Sequence, residues 1–319
     1  MVKITNNMTD FIENHTGEII IYGAGNAGYW IGHYMNKCNV DFSMYIDRAI
    51  IHEGALFNNK PVYKPEKLAE FTGKSIRIIV SPVCYAAIMY DLTKLTEKYS
   101  ISVLCLVPVY KSIIANGDSY NINKLLAYFR NKLFVGDVPT IISYDCAGGL
   151  IYDMMNWVMV SPTVNTIFTY EDYIKICQNP RKYLLEDIED ISWGVFYNIG
   201  GSKREMLHGK LGDIDIWFAH TDRSEGLAER WHILGQHIKW DNLVYLLMAR
   251  IPNIPISVLR SFSELKQKHL TVFREGFSYV PEGFSDYVNA NTNISLFALR
   301  DSAIENYFDL LGWLNQDCL

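Results

Sequence analysis

The sequence predicts an α/β protein with an N-terminal Rossmann-like parallel sheet followed by a second α/β domain. Strand-like apolar segments alternate with amphipathic helical segments over roughly the first 110 residues, an order typical of a parallel sheet with right-handed crossovers. A glycine-rich loop, Y-G-A-G-N-A-G, follows the first of these strands. The 319 residues also exceed the usual size of one hydrophobic core. These observations together predict two domains.

The elements of the first domain follow from its apolar pattern. After the glycine loop, Trp30, Ile31 and Tyr34 recur at helical spacing. Pro65 begins a short helix, because proline favours the first helical turn. The predicted strands are 18–22, 40–46, 75–80 and 102–107, and the predicted helices are 27–37, 65–71 and 85–98.

The glycine loop predicts a nucleotide site. In such loops the first glycine allows a tight turn, the second lets a pyrophosphate approach the backbone, and the third lets the helix pack closely. The start of the next helix favours an anion, and an acid after the second strand accepts hydrogen bonds from a ribose. A tight turn without any ligand is the alternative. The predicted nucleotide-binding residues are Gly23, Gly25, Asn26, Gly28, Asp47, Arg48 and Ser81.

The size of this domain bears on which nucleotide it binds. About four strands are predicted where a complete dinucleotide fold has six. A nucleotide or nucleotide-linked sugar is therefore the favoured ligand, and NAD(P) stays open.

Four motifs of the first domain carry a family resemblance: Y-G-A-G-N-A-G, Y-I-D-R, Gly54 and K-P-V-Y-K-P-E-K-L. With them, residues 18–108 resemble the small Rossmann-like domain of bacterial surface-sugar modifying proteins, including sugar-nucleotide-binding acetyltransferases. The resemblance implies a sugar nucleotide as the ligand.

The pattern changes after residue 112. A polar, Asn-rich segment at 113–137 contains one amphipathic helix and predicts a helical connector between domains 1–112 and 138–319. The second domain begins with the strand P-T-I-I-S-Y, a small-residue loop and a helix, which repeats the order of the first domain. Cys146 lies in this loop near a helix N-terminus, where a thiolate is stabilised.

Further elements of the second domain follow from caps and periodicity. Thr169 and Ser224 are predicted helix caps, and the segment 208–220 alternates apolar and polar residues as a half-buried strand does. The remaining predicted strands are 191–199, 242–248, 270–273 and 294–299, and a last helix begins at Asp301.

The second domain carries a resemblance of its own. Its motifs are S-Y-D-C-A-G-G-L-I-Y, S-P-T-V-N, L-G-D-I-D-I-W-F-A-H, A-E-R-W and W-D-N-L. With them, residues 138–300 resemble an uncharacterised bacterial family connected with exopolysaccharide and capsule biosynthesis. The family pattern has Asn in place of Asp145 and an acid-rich segment where this chain has M-A-R-I-P-N. The resemblance therefore implies a pathway but no reaction.

Two kinds of chemistry are candidates in the second domain. Cys146 as nucleophile, His220 as base and Asp213, Asp215 or Asp241 as orienter would suit acyl transfer. Packing is the alternative role of such a cysteine. Asp213 and Asp215 also resemble the Asp-x-Asp of metal-dependent glycosyltransferases. Because this pair precedes its strand, a hairpin or a cap is favoured, and no metal site is predicted.

Histidine and aromatic clusters are the remaining candidates. His208, His220, His232 and His237 have no H-x-x-x-H spacing, which disfavours zinc. The aromatic residues Trp217, Phe218, Trp231 and Trp240 would stack on a sugar, or else form core.

Composition excludes several classes of protein. A net charge of −6 with no basic block argues against a nucleic-acid partner. Six dispersed cysteines predict neither a disulfide scaffold nor a zinc ribbon and fit a reducing cytoplasm. The polar first 17 residues do not resemble a secretory signal, and no apolar run reaches the length of a membrane span. A homo-oligomer stays open.

These patterns together predict an enzyme of bacterial exopolysaccharide or capsule biosynthesis. It would transfer a glycosyl or acyl group from a nucleotide-linked sugar or a related donor. A non-catalytic sugar-nucleotide sensor or scaffold of the same pathway is the first alternative, and an NAD(P)-dependent sugar oxidoreductase is the second.

Overall fold

The structure is a computed structural model. It describes residues 1–82, 85–107, 110–114, 117–121, 123–197, 203–249, 254–273, 287–289 and 309–316. The chain divides into two units, Met1–Phe134 and Val135–Leu319. Both are mixed α/β structures, which confirms the predicted fold class.

A seven-stranded sheet forms the centre of the first unit. Its strands are β1 (Val2–Thr5), β2 (Ile19–Tyr22), β3 (Met44–Ile46), β4 (Leu56–Phe57), β5 (Lys60–Tyr63), β6 (Ser75–Val80) and β7 (Ser102–Leu106). The spatial order is β1-β7-β6-β2-β3-β5-β4, with only the β4–β5 pair antiparallel among these described strands. The chain leaves β2 towards β3 and returns to β6 on the other side of β2. A crevice is therefore expected at the carboxyl ends of β2 and β6.

This sheet is wider than the sequence predicts. Six of its described strands run parallel, because β5 extends one edge and β1 extends the other. Both strands are short and partly exposed, so they lack the apolar run that marks the central strands. β3 is also shorter than predicted, because it begins only at Met44.

The central strands are buried on both faces. All four residues of β2 are buried, as expected for a parallel strand covered by helices on both sides. Ile20 and Tyr22 join a core cluster with Ile88 and Leu92. The helices of this unit are α1 (Asn26–Lys37), α2 (Tyr85–Tyr99) and α3 (Asn123–Leu133), with a 3₁₀ helix at Pro65–Phe71, a π-helical turn at Asp10–Asn14 and a hairpin of β8 (Tyr110–Ile114) and β9 (Gly117–Asn121).

The helix of the predicted connector belongs to the first unit. α3 lies against α1, and Arg130 of α3 is fully buried. Its Nε donates a hydrogen bond to the Tyr34 hydroxyl at 3.0 Å, and its guanidinium lies 5.0 Å from the centre of the Tyr34 ring. The boundary between the units follows α3, between Phe134 and Val135.

The second unit has two four-stranded sheets. Strands β10 (Thr140–Ser143), β15 (Leu243–Ala249), β16 (Lys268–Phe273) and β17 (Tyr287–Asn289) form a parallel sheet in that order. Strands β11 (Thr166–Ile167), β14 (Ile214–Phe218), β13 (Lys203–Leu211) and β12 (Glu189–Tyr197) form an antiparallel sheet in that order. The helices are α4 (Ala147–Met155), α5 (Tyr170–Gln178), α6 (Pro180–Leu184), α7 (Leu227–Gln236), α8 (Ile256–Ser263) and α9 (Leu310–Asn315).

Two local predictions are wrong in this unit. The single strand predicted for 208–220 is a hairpin, because Gly212 has a left-handed backbone (φ 58°) and reverses the chain between β13 and β14. α7 begins after Gly226 and not after Ser224, whose carbonyl accepts the Leu227 N–H. Thr169 does cap α5, through a 3.1 Å hydrogen bond from the Asp172 N–H. The strand predicted at 294–299 and the start of the helix predicted at Asp301 lie outside the described residues.

None of the helices in the described parts of the chain has the length and apolar character needed to span a membrane.

Candidate functional site

The glycine loop of the first unit follows β2 at the expected crevice. Gly23 has a φ of 111°, and its N–H donates to the Ile46 carbonyl at 2.7 Å. A Cβ at Gly23 would overlap the Ser81 side chain, and a Cβ at Gly28 would overlap the Gly23 carbonyl oxygen. Both glycines are therefore required by the fold itself, whatever the loop binds.

Gly25 differs from these two glycines. A Cβ built on it meets no atom within 4 Å. Its φ of −92° is open to any residue, so the backbone does not require glycine there. Gly25 is exposed and is the N-cap of α1, without a side-chain hydrogen bond to cap the helix. Asn26, also exposed, is the first helical residue.

Asp47 holds the loop in place. One carboxylate oxygen accepts the Ala24 N–H at 2.8 Å, and the other accepts the Ala49 N–H at 2.8 Å. The carboxylate predicted to bind a ribose thus has its first partners in the protein. Since a carboxylate oxygen accepts more than one hydrogen bond, these contacts orient Asp47 without filling it.

Arg48 and Ser81 also bind to the protein. Arg48 forms an ion pair with Asp91 and donates to the Ala87 carbonyl at 2.9 Å and the Tyr22 hydroxyl at 3.2 Å. The buried Ser81 hydroxyl lies 3.0 Å from the Tyr22 carbonyl oxygen and 3.2 Å from that of Gly23. Ser81 therefore positions the glycine loop from β6.

An open groove lies beside Arg48, and none of its described lining residues belongs to the glycine loop 23–28. Its volume is about 340 Å³, and its charged lining residues come from the β3–β4 segment, the 3₁₀ helix and α2. They are Arg48, Lys64, Glu66, Asp91 and Lys94.

The second strand-loop-helix segment contains Cys146. Cys146 is half-buried and lies at the N-cap of α4. The preceding Asp145 is buried, and its carboxylate accepts the Ala147 N–H at 3.0 Å in the first turn of α4. This carboxylate occupies the helix N-terminus that was expected to stabilise a Cys146 thiolate.

His220 lies at the carboxyl end of β14, beside a small pocket. We call this the His220 pocket; its volume is about 90 Å³. The Ala219 N–H donates to the Asn165 carbonyl at 2.8 Å, which holds His220 beside the 161–165 segment. The polar residues that line the His220 pocket are Asn165, Thr166, His220, Thr221 and Arg230. The apolar lining residues include Phe218, Leu227 and Trp231.

Cys146 and His220 flank the same segment without forming a pair. A Cβ at Gly149 of α4 would lie 3.1 Å from Val164 Cγ1, so α4 contacts the segment that also holds His220. Within the described residues, no hydrogen bond joins Cys146 to His220, and Cys146 does not line the His220 pocket.

The three candidate acids lie away from His220. Asp241 precedes β15 at the amino ends of the parallel strands, whereas Cys146 follows their carboxyl ends, more than about 10 Å away by strand length. Asp213 and Asp215 lie at the start of β14, and His220 follows its end, roughly 15 Å away for five residues. The structure therefore brings no predicted acid to either residue.

Lysines surround Asp213 and Asp215. Asp213 pairs with Lys182 at 2.9 Å and Lys175 at 3.2 Å, and Asp215 pairs with Lys210 at 2.6 Å. Hydrogen bonds from Lys182, Tyr183 and Lys175 hold the pKa of Asp213 well below its usual range. Among the described residues, no group of three potential ligands could hold a metal ion.

The aromatic residues do not form one platform. Trp217 packs on Phe196 and His208, and Trp240 lies against the Arg181 guanidinium. Only Phe218 and Trp231 share a site, the His220 pocket. Trp231 is buried, and its Nε1 donates to the Glu186 carbonyl at 3.1 Å.

Comparison with protein families gives a match that covers most of the chain. Residues 116–315 match a domain of unknown function (DUF1919), which is more than half of the sequence. The chain belongs to the DUF1919 family. A relative from Haemophilus influenzae, described as an uncharacterized protein, is 22% identical over 204 residues, which cover 61% of this chain and 94% of the relative. The DUF1919 match leaves out residues 1–115, and with them all seven strands of the first sheet.

Sequence reasoning missed Asn165 and Arg230 within the DUF1919 domain. The sequence does contain an indication of these residues, because three of the motifs of the second domain have their last residues in the lining of the same pocket. S-P-T-V-N ends at Asn165, W-F-A-H ends at His220, and A-E-R-W ends at Arg230 and Trp231. All four residues line the His220 pocket.

Proposed function

We propose that the chain is a nucleotide-sugar-dependent transferase of bacterial exopolysaccharide or capsule biosynthesis. The glycine loop of the first unit binds the phosphates of a nucleotide-linked sugar. The DUF1919 domain transfers a glycosyl or acyl group to or from a glycan precursor. The pathway assignment rests on the sequence motifs of both domains, and the ligand assignment rests on the loop geometry.

The observation that carries the ligand assignment is the open space at Gly25. Gly23 and Gly28 are explained by contacts within the protein, whereas Gly25 has neither a packing nor a conformational reason to be glycine. A glycine at an uncapped helix N-terminus leaves backbone N–H groups accessible to an outside anion. A phosphate at Gly25 explains the residue.

The surroundings of the loop support a ligand larger than a phosphate. The loop lies at the switch of strand order, where open α/β sheets bind their ligands. A groove of about 340 Å³ in the same unit, lined by Arg48 but by no residue of the glycine loop 23–28, falls within the size range of small-molecule sites. Asp47 and Ser81 fix the loop before a ligand arrives, which lowers the entropic cost of binding.

NAD(P) is the competing ligand, because six parallel strands are as many as a dinucleotide fold has. Asp47 accepts two backbone N–H groups and keeps capacity for the ribose of either ligand, so it does not discriminate between them. One contact disfavours NADP. Arg48, which would bind the extra phosphate of NADP, is paired with Asp91.

A thermal-shift screen of the full chain tests this proposal. UDP-, GDP- and CMP-sugars, acyl-CoA and NAD(P) are compared with and without Mn²⁺, since a ligand bound only by the native state raises apparent stability. We expect at least one sugar nucleotide to raise the unfolding temperature. Gly25→Val should abolish this shift and change the stability of the free protein by less than about 0.5 kcal/mol. Ala55→Val, at an exposed position of the same unit, is the matched control.

Three outcomes contradict the proposal. Stabilisation by NAD(P) and by no sugar nucleotide would indicate an oxidoreductase. A full thermal shift in Gly25→Val would remove the glycine loop as the binding site. If sugar nucleotides bind but glycan output is unchanged by Cys146→Ala and His220→Ala, the chain is a sensor or scaffold.

A further inference from the structure

We propose that the His220 pocket binds a small oxyanion, a carboxylate or a phosphate group carried by a ligand of the DUF1919 domain. The pocket lies wholly within the second unit. The inference therefore does not rest on a nucleotide in the first unit, and the two proposals stand or fall separately.

The first support is a set of polar side chains that lack partners. Arg230, His220 and the Asn165 amide all line the pocket, and within the described residues none of these side chains has a hydrogen-bond or ion-pair partner. By contrast, the hydroxyls of Thr166 and Thr221 donate to backbone carbonyls at 2.8 and 3.2 Å. His220 and Arg230 are exposed and Asn165 is half-buried, so all three groups are accessible to a ligand at the pocket.

The second support is the charge of the lining. The described lining residues include one arginine and one histidine but no carboxylate, in a chain whose net charge is −6. Phe218, Leu227 and Trp231 supply the apolar walls of the pocket. A guanidinium matches the two oxygens of a carboxylate or a phosphate.

The position of Arg230 follows from its helix. Leu227, Trp231 and Leu234 are spaced about one turn apart on α7 and line the pocket. Arg230 also lines the pocket and lies three residues after Leu227. Leu227 and Trp231 are buried, which fixes the helix face. Arg230 itself is exposed, so a ligand can reach it from solvent.

The third support is backbone strain. Asn165 and His220 both have left-handed backbones, with φ of 62° and 60°, although neither is glycine. Asparagine tolerates this region, whereas histidine adopts it at a cost. The hydrogen bond from Ala219 to Asn165 joins the two turns. His220 is therefore the strained member of the pair, and a strained residue in a pocket is characteristic of a ligand site.

The size of the pocket limits the ligand group. A cavity of about 150 Å³ admits one benzene ring, and this pocket has about 90 Å³. A carboxylate or a phosphate fits, but a complete sugar ring does not. The remainder of the ligand must lie outside the pocket.

Titration of the full chain with inorganic phosphate, D-glucuronate and neutral D-glucose, followed by calorimetry, tests the inference. We expect phosphate or glucuronate to bind and glucose not to bind. The anion that binds more tightly identifies the source of the oxyanion group. Arg230→Gln should weaken binding at least tenfold, and Arg223→Gln, which removes a nearby arginine outside the pocket, should change it less than twofold.

His220→Gly provides a readout that a purely structural residue would not give. Glycine relieves the left-handed backbone, so this variant should unfold at a higher temperature and bind the anion more weakly. Gly25→Val should keep full anion affinity. Failure of both anions to bind, equal losses in Arg230→Gln and Arg223→Gln, or full affinity in His220→Gly would overturn the inference.

Discussion

The glycine loop after β2 and the small-residue loop after β10 share the order strand, loop, helix. They differ in which part of the chain supplies the acid that binds the loop backbone. In the first loop, Asp47 comes from the neighbouring strand and binds the Ala24 N–H, before α1 begins. In the second, Asp145 lies within the loop and binds the Ala147 N–H, inside α4. The N-terminus of α1 is thus left open, whereas that of α4 carries a carboxylate.

The glycines follow the same division. Gly25 faces open space, whereas a Cβ at Gly148 would come within 2.7 Å of Ser143 Oγ and one at Gly149 within 3.1 Å of Val164. Small residues at a strand-helix turn therefore have two uses. They admit a ligand in the first loop, under our proposal, and they pack a helix against its neighbours in the second.

The largest expected effect on stability comes from adding a Cβ at Gly28, inside the glycine loop. Gly28→Ala places a Cβ against the backbone carbonyl of Gly23, which cannot move as a side chain could. We expect a loss of about 3 kcal/mol in the unfolding free energy, measured by urea denaturation. Gly25→Ala is the control and should lose less than about 0.5 kcal/mol. Equal losses would mean that Gly25 is also an internal packing residue.

A smaller effect is expected from removing the acid of the second loop. Asp145→Asn removes a negative charge beside Cys146, so the thiol should ionise more readily. The rate of Cys146 alkylation by iodoacetamide at pH 8 should rise about three- to tenfold. Cys38, also half-buried, is the internal control, and its rate should not change. An unchanged rate at Cys146 would show that Asp145 does not influence the thiol.

The smallest expected effect is the pH dependence of stability that arises from Asp213, which lies outside both loops. Lys182, Tyr183 and Lys175 lower the pKa of Asp213, so the stabilisation is fully present above about pH 4 and is lost as the pH falls through the folded-state pKa. Because Asp213 is exposed, the loss should be slight. The urea midpoint should fall less between pH 5 and pH 3 in Lys182→Gln than in the wild type or in Lys266→Gln. A steeper fall in Lys182→Gln would contradict this assignment.

Much of the fold follows from local pattern. The buried strands β2, β6, β10 and β15 have continuous apolar runs, and the helices between them have clear apolar spacing. The short edge strands β1 and β5 lack such a run. The turn at Gly212 and Asp213 is only two residues long, so β13 and β14 read as one strand in the sequence.

The sites divide in the same way. The glycine loop is contiguous in sequence and could be predicted. The partners of Asp47 and Arg48 could not, since Ala24 and Asp91 come close only after the sheet forms. Likewise, Asn165 and His220 meet because β11 pairs with β14, and sequence spacing does not specify that pairing.

The buried Arg130 shows that the DUF1919 match and the second structural unit do not begin at the same residue. The DUF1919 match begins at residue 116 and so includes α3, yet α3 buries Leu125, Leu126, Phe129 and Arg130 within the first unit. A DUF1919 protein without residues 1–115 would expose this face or cover it with something else. The helix α3 is therefore part of the DUF1919 match in sequence and part of the first unit in packing.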